Sequence, residues 1–285
     1  MTTGRIDLHV HSTCSDGTDT PTELVELAVE TGLSAMALTD HDCMDGVAEA
    51  MEAAKGTELE IIPGIEISCE YEGKEIHMVG LYVDDGHSVL QTKLREFRDS
   101  RFRRNEIMVE KLRNEAGLDI DYDSLVAENP DCVITRANIA RYLVNHGQVK
   151  SIEQVFTKYI GDDCPYFVPR AKVSPQEAIG LIHMAGGVAV LAHPILYRMN
   201  MQRLENLVEI LKGAGLDGIE AVYSTYQLGD EANMKKLAKQ FDLFVSGGSD
   251  YHGENKTYIK LGDGTRHMPI PAYLLENIKE RKNVY

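Results

Sequence analysis

No apolar run in the chain is long enough to span a bilayer: the longest, around residues 188–192, falls far short of the roughly 20 residues a membrane helix needs. Membrane is therefore not an expected partner. A leader is equally hard to find. The sequence passes from Met1 through Arg5 into a strand-like run, with no long apolar core followed by a small-residue cleavage site, so no signal peptide is expected. Cysteine is sparse: Cys14, Cys43, Cys69, Cys132 and Cys164 are odd in number and form no C-x-x-C pair. That argues against a disulfide framework and a cysteine zinc site, and suits a reducing, cytoplasmic compartment. Tryptophan is absent, and positive charge is short, with 29 basic against 45 acidic residues and a net charge of -16. So acidic a chain repels the backbone of a long duplex unless its cations are gathered at one place. Free phosphate esters and short strand ends stay open as substrates.

What is present is an ordinary globular composition, 43% hydrophobic and 26% charged over 285 residues, enough for one large α/β domain or one domain with an inserted module. The first part alternates strands and helices. Residues 6–11 read as a strand, and Thr20-Pro21-Thr22-Glu23 opens a helix with an N-cap, a proline at the first position and a capping box. Further strands are expected over 35–39, 60–68 and 74–83, the last two as a hairpin around Tyr71-Glu72-Gly73. From about His87 the pattern turns helical only, with Leu90, Leu94, Phe97, Met108 and Leu112 along one stripe and further helices over 135–145 and 151–160. Alternation returns at Ser174-Pro175-Gln176-Glu177, with strands expected over 188–192, 218–222 and 243–247. The fold class is α/β: a distorted (β/α)7-type barrel, built from residues 1–86 and 169–285, with an inserted helical subdomain over 87–168.

The chemistry concentrates at strand ends. In Asp7-Leu8-His9-Val10-His11, alternation puts Asp7, His9 and His11 on one face. Two imidazoles so spaced can chelate a cation. Alone the pair is a weak signal, more often a polar strand end than a metal site. Asp16 follows in the next loop, Thr39-Asp40-His41-Asp42 ends the second strand, Glu66 lies on the third and His77 on the fourth. His193 and Ser249-Asp250-Tyr251-His252 follow later strands. Core packing does not repeatedly bury imidazoles and carboxylates, because unpaired polar groups are costly to desolvate. The C-terminal strand ends of a barrel are where active sites are built.

On DLHVHS, TDHD, AHP and SDYH, in that order and spread over nearly the whole chain, the sequence resembles the polymerase and histidinol phosphatase (PHP) family, in its stand-alone branch of nucleotide phosphatases and 5′-3′ exoribonucleases. The resemblance implies a metal-dependent phosphoesterase with ligands His9, His11, Asp16, His41, Glu66, His77, His193, Asp250 and His252. Of these, His9, His11, Glu66, His193 and Asp250 are carried over as the catalytic set. It shares them as His9, His11, Glu66 and Asp250 on one ion, Glu66, His77 and His193 on a second, and Asp16, His41 and His252 on a third. Imidazole with carboxylate suits two or three divalent ions of Mn, Zn or Fe. Such ions would let a metal-bridging hydroxide attack a phosphate monoester. Asp7 and Asp40 are expected behind the ligands, orienting the histidines.

Substrate contacts are expected from the helical insertion. Arg136, in Thr135-Arg136-Ala137-Asn138, matches a family position that meets substrate phosphate, although Asn138 stands where the branch has histidine. Arg170 is placed to act similarly, and Arg101 and Arg104 belong to a basic run that otherwise reads as a solvated helix face. Lys158 and Lys256 are weaker candidates, expected to face solvent. The expected substrate is a small phosphorylated metabolite, a nucleotide 3′,5′-bisphosphate or nucleoside monophosphate. The alternatives are short single-stranded RNA trimmed from its 5′ end, histidinol phosphate, and, outside catalysis, a metal-stabilised interaction module.

Overall fold

Strand β1 (Arg5–Val10) is buried along nearly its whole length, as a strand inside a closed sheet must be. The computed structural model describes residues 4–130, 132–169 and 173–282. Helix α1 (Pro21–Glu30) follows with the expected capping box between Thr20 and Glu23, then β2 (Leu33–Leu38) and α2 (Val47–Ala53). β3 (Glu60–Tyr71) runs three residues past the expected end into the hairpin, and β4 (Lys74–Leu81) starts where expected and stops two residues short. Glu72 and Gly73 turn between them with φ of 49° and 74°, the left-handed pair that matches the twist of a two-residue hairpin.

The helical stretch comprises α3 (Ser88–Asn114), α4 (Tyr122–Ala127), α5 (Arg136–Asn145) and α6 (Ile152–Val155). After α6 the helix widens into a π turn over Phe156–Ile160, where the Thr157 hydroxyl donates to the Glu153 carbonyl and competes with the regular ladder. The second half alternates α7 (Pro175–Met184), β5 (Val188–Leu191), α8 (Met201–Gly213), β6 (Gly218–Tyr223), α9 (Leu228–Gln240), β7 (Phe244–Gly248) and α10 (Tyr273–Lys282).

The seven strands form one sheet in chain order. Neighbours are parallel except at β4, which is antiparallel to both β3 and β5. The hairpin explains the exception, since a two-residue turn can only reverse the chain. Closure comes from just past the ends of β1 and β7: the His11 N–H donates to Tyr251 O at 3.0 Å and the Asp250 N–H to His9 O at 2.9 Å. No helix of the described residues is long and apolar enough to cross a membrane.

Helix α3 joins two cores. Its first half packs Leu90, Leu94 and Phe97 with Ile67, Ile179 and Leu191 against the barrel. Its second half packs Met108, Val109 and Leu112 with Ile120, Ile139, Leu143 and Val155 in a separate cluster. At 27 residues the helix is about 40 Å long and carries the second cluster beside the mouth of the barrel.

Asp7 ties the closure together. Its carboxylate accepts backbone N–H bonds from Ser249 at 2.9 Å, Gly262 at 2.7 Å and His9 at 3.3 Å. Burial pushes its carboxyl up to about 6 even though these donors favour the anion. In Asp7→Asn an amide NH2 would face backbone donors, leaving buried groups unpaired. Urea unfolding is expected to show a loss of about 1–3 kcal/mol; an unchanged midpoint would contradict the role given to Asp7.

Candidate active site

Glu66 sits at the middle of the donor set because β3 runs past the strand ends around it. Its Oε1 lies 2.8 Å from His77 Nδ1 and 3.0 Å from His193 Nε2. Its Oε2 lies 3.1 Å from His41 Nδ1, 3.2 Å from His11 Nε2 and 3.3 Å from His9 Nε2. Asp250 Oδ1 is 3.3 Å from His11 Nε2 and 3.4 Å from His252 Nδ1. Asp16 completes the far side, 3.2 Å from His252 Nε2 and 3.8 Å from His41 Nε2. All nine residues expected at strand ends are thus brought together, from β1, β3, β4 and the loops after β1, β2, β5 and β7.

Their ring and carboxylate atoms are poorly served by the protein itself. His9 Nε2, both ring nitrogens of His11, His41 Nδ1, His193 Nδ1 and Glu66 Oε2 are buried without a hydrogen-bond partner among the described residues. Orphaned polar atoms at this density are expensive unless an electrophile sits among them. Four groups have donor atoms within 4.8 Å of one another: His11, Asp16, His41 and His252; His9, Glu66 and His193; His9, His11 and Asp250; and His41, Glu66 and His77. Imidazole and carboxylate donors converging in this way fit divalent cations.

The carboxylates are held as anions, which suits that use. Burial raises the Glu66 carboxyl, but the imidazoles of His41, His77 and His9 outweigh it and hold it well below the usual carboxylate range. Asp250 is held down likewise, against burial, by Lys256 and His252, and Asp16 by His41 and His252.

The residues that hold the donors differ in part from those expected. Asp7 bonds backbone amides, and Asp40 accepts from the Ser12 N–H and hydroxyl and the Ser15 hydroxyl, so the hydrogen bonds of both carboxylates go elsewhere than to the imidazoles. They shape the loops that carry the ligands. The carboxylate against a ring is Glu220 on β6, 3.1 Å from His9 Nδ1 and accepting the His193 N–H at 2.7 Å. A lone acid in the apolar strand Gly-Ile-Glu-Ala-Val-Tyr was the available signal. The Tyr223 hydroxyl and Lys256 Nζ each donate to Asp250 Oδ2 at 2.6 Å. His193 and Asp250 have φ of 27° and 59°, left-handed backbone that non-glycine residues adopt at a cost of about 1–3 kcal/mol each.

The sequence profile of the PHP domain matches residues 7–266. The chain belongs to the PHP domain family. It is a metal-dependent phosphoesterase, a hydrolase of phosphoric esters. It is 40% identical over 250 residues to a 5′-3′ exoribonuclease of Haemophilus influenzae, covering 88% of this chain and 90% of that one. To a 3′,5′-nucleoside bisphosphate phosphatase of Chromobacterium violaceum it is 37% identical over 278 residues, 97% of each chain. The structure of a Bifidobacterium adolescentis protein described as a candidate metal-dependent phosphoesterase matches with a TM-score of 0.85 at 31% identity, covering 97% of this chain and 96% of that one.

Over the donors of this PHP enzyme lies a cleft of about 430 Å³, walled by the helical segment on one side. Thr135, which caps α5, reaches across and donates its hydroxyl to Asp16 Oδ2 at 3.0 Å. Asn138 completes that cap, its side-chain oxygen accepting the Thr135 N–H at 2.7 Å, so its position is fixed by the helix start. Arg136 lines the cleft, with Nη2 3.1 Å from Glu75 and Nη1 2.6 Å from Asp162. Its guanidinium lies against Phe156 and Phe167, at 5.3 Å from the centroid of the latter. Arg101 also lines the cleft, buried in an ion pair with Asp42 and 3.2 Å from the Ser68 hydroxyl. Arg104 is buried outside the cleft wall, Lys158 is exposed and also outside it, and Arg170 lies outside the described residues. Lys256 is not the solvent-facing lysine expected: it lines the cleft with its side chain 29% exposed, drawn in by Asp250. Glu75 was missed by pattern reasoning because its partners, His77 Nε2 at 3.2 Å and Arg136, come from two different segments.

A divalent cation such as Mn²⁺ at a hundred times its dissociation constant is expected to stabilise the fold by about 2.7 kcal/mol, read as a rise in Tm that EDTA reverses. Glu220→Gln, which weakens the hold on His9, is expected to lower metal affinity about 10- to 100-fold. Equal affinity in the variant would show that Glu220 does not position the metal site.

Proposed function

We propose that this phosphoesterase removes a terminal phosphate from a nucleotide, a 3′,5′-bisphosphate or a nucleoside monophosphate. Two or three ions of Mn, Zn or Fe are held by His9, His11, Glu66 and Asp250, by Glu66, His77 and His193, and by Asp16, His41 and His252. When bound, such ions supply an activated water and neutralise charge on the phosphoryl oxygens. Glu66 and Asp250 fix the donors, Glu220 and Tyr223 fix Glu66's neighbours, and the left-handed backbone at His193 and Asp250 aims both side chains inward.

The observation that supports this reading most is the setting of Arg136. Its ion pair with Asp162 faces solvent, since the Asp162 side chain is 56% exposed, and an exposed pair contributes little. A phosphate can take that place at small cost and receive a bidentate guanidinium contact. Glu75 keeps the other nitrogen in position, and bridges it to His77. The cleft volume is in the range that encloses one small ligand. We assign residues 87–168 as the lobe that supplies this wall and residues 1–86 and 169–285 as the barrel. A cytoplasmic location is supported by five free cysteines.

One observation favours the second reading, 5′-3′ trimming of short single-stranded RNA: Tyr258, at the edge of the cleft, is 65% exposed and offers a ring for a base.

His9→Ala and Asp250→Ala are each expected to abolish phosphate release from a nucleoside 3′,5′-bisphosphate by Mn-loaded protein, and normal turnover in either would remove the ligand assignment. Arg136→Ala is expected to lower kcat/KM about 10- to 100-fold with metal content unchanged. Mononucleotides released only from short 5′-phosphorylated RNA, with the bisphosphate untouched, would replace the first reading by the second.

A further inference from the structure

Beside the catalytic cleft lies a second cavity of about 460 Å³, and Tyr258 lines both. The second cavity is also lined by Ser224, Thr225 and Gln227, at the start of α9, and by Arg266 and His267. Arg266 is exposed and has no hydrogen-bond or ion-pair partner among the described residues. In so acidic a chain, most cations near carboxylates are already paired. The nearby acids are engaged elsewhere: Asp230 accepts the Gln227 N–H at 2.9 Å, and Asp263 lies 3.0 Å from His267 Nδ1.

Two further observations point to a ligand. The Ser224 hydroxyl is buried, with the residue only 5% exposed, and has no hydrogen-bond partner among the described residues, so a polar group on the cavity wall is left unsatisfied. Arg266 and His267 both hold left-handed backbone, with φ of 56° and 59°, in a turn closed by Gly264 N–H to Met268 O at 2.8 Å. Two consecutive non-glycine residues in that region are costly, and here they hold a free guanidinium beside the cavity. No ring of the described aromatic contacts stacks on Tyr258.

We infer that this cavity binds the second nucleotide of a short single strand whose terminal phosphate occupies the catalytic cleft. The base stacks on Tyr258, and the phosphodiester is held by Arg266 and the Ser224 hydroxyl. The placement of the terminal phosphate rests on the function proposed above. A free ring face and a free guanidinium on one cavity are the two elements by which proteins hold unpaired nucleic acid. A duplex, with its bases already stacked on each other, gains nothing from the ring.

The test uses metal-loaded protein and a 3′-fluorescein-labelled, 5′-phosphorylated RNA trinucleotide with phosphorothioate linkages, followed by fluorescence polarisation. Phosphate release from a nucleoside 3′,5′-bisphosphate is measured in parallel. Tyr258→Ala and Arg266→Asn are each expected to weaken trinucleotide binding about tenfold, and Tyr258→Phe to keep it. Asparagine tolerates the left-handed backbone at 266, so the turn is preserved. For Arg266→Asn, the loss on the trinucleotide is expected to exceed any loss of kcat/KM on the bisphosphate by at least about fivefold. Trinucleotide binding at the wild-type level in both Tyr258→Ala and Arg266→Asn overturns the inference, as does an equal loss on both substrates. If wild-type protein releases no phosphate from the bisphosphate while the trinucleotide difference persists, the subsite stands and the mononucleotide reading falls.

Discussion

Five imidazoles converge on the single carboxylate of Glu66, all within 3.3 Å; those of His9, His11 and His193 are buried, and those of His41 and His77 reach the cleft. Without a counter-charge, so many ring nitrogens would be an expensive thing to bury, and several of them have no hydrogen-bond partner among the described residues. The arrangement is economical once cations take the space among the rings. Glu66 then serves as the common acceptor around which the sites are arranged. β1 and the loop after it bring His9 and His11 to that point, β4 brings His77, and the loops after β2 and β5 bring His41 and His193.

The rest of the fold holds this point still. The barrel closes through backbone bonds made by His9, His11 and Asp250 themselves, so the donors and the closure are one structure. Behind them stand buried carboxylates: Asp7 on three backbone amides, Asp40 on two serines, and Glu220 on His9 and His193. Helix α3 carries the helical cluster from the barrel core to the mouth of the cleft, and α5 begins there, with Thr135 on Asp16 and Arg136 beside it. The cleft thus has the barrel's imidazoles and carboxylates on one wall and the Arg136 guanidinium of the helical segment on the other.

Much of this was legible in the chain because local patterns carry it. Alternation in Asp7-Leu8-His9-Val10-His11 put the donors on one face, the two N-cap, proline and glutamate signatures opened α1 and α7 where expected, and the apolar stripe from Leu90 to Leu112 ran along α3. The helix expected over 151–160 keeps its start at Ser151 but changes pitch, through a hydroxyl bond whose strength no periodicity reports. What escaped was set by contacts between distant segments. Two of the three amides that hold Asp7 are more than 200 residues away, and Glu75 meets Arg136 across the cleft; Lys256 instead folds back on Asp250 within the same loop. Glu220 was visible only as one acid in an apolar strand, a signal that names a buried partner without saying which.

The most direct test of the central claim is anomalous diffraction from crystals grown with manganese, recorded at an energy where that element scatters anomalously. Glu66 as common acceptor predicts strong peaks at coordination distance, about 2.0–2.3 Å, from its carboxylate oxygens, with His9 and His11, or His77 and His193, completing the sites. Fully occupied manganese elsewhere, with no peak beside Glu66, would contradict it.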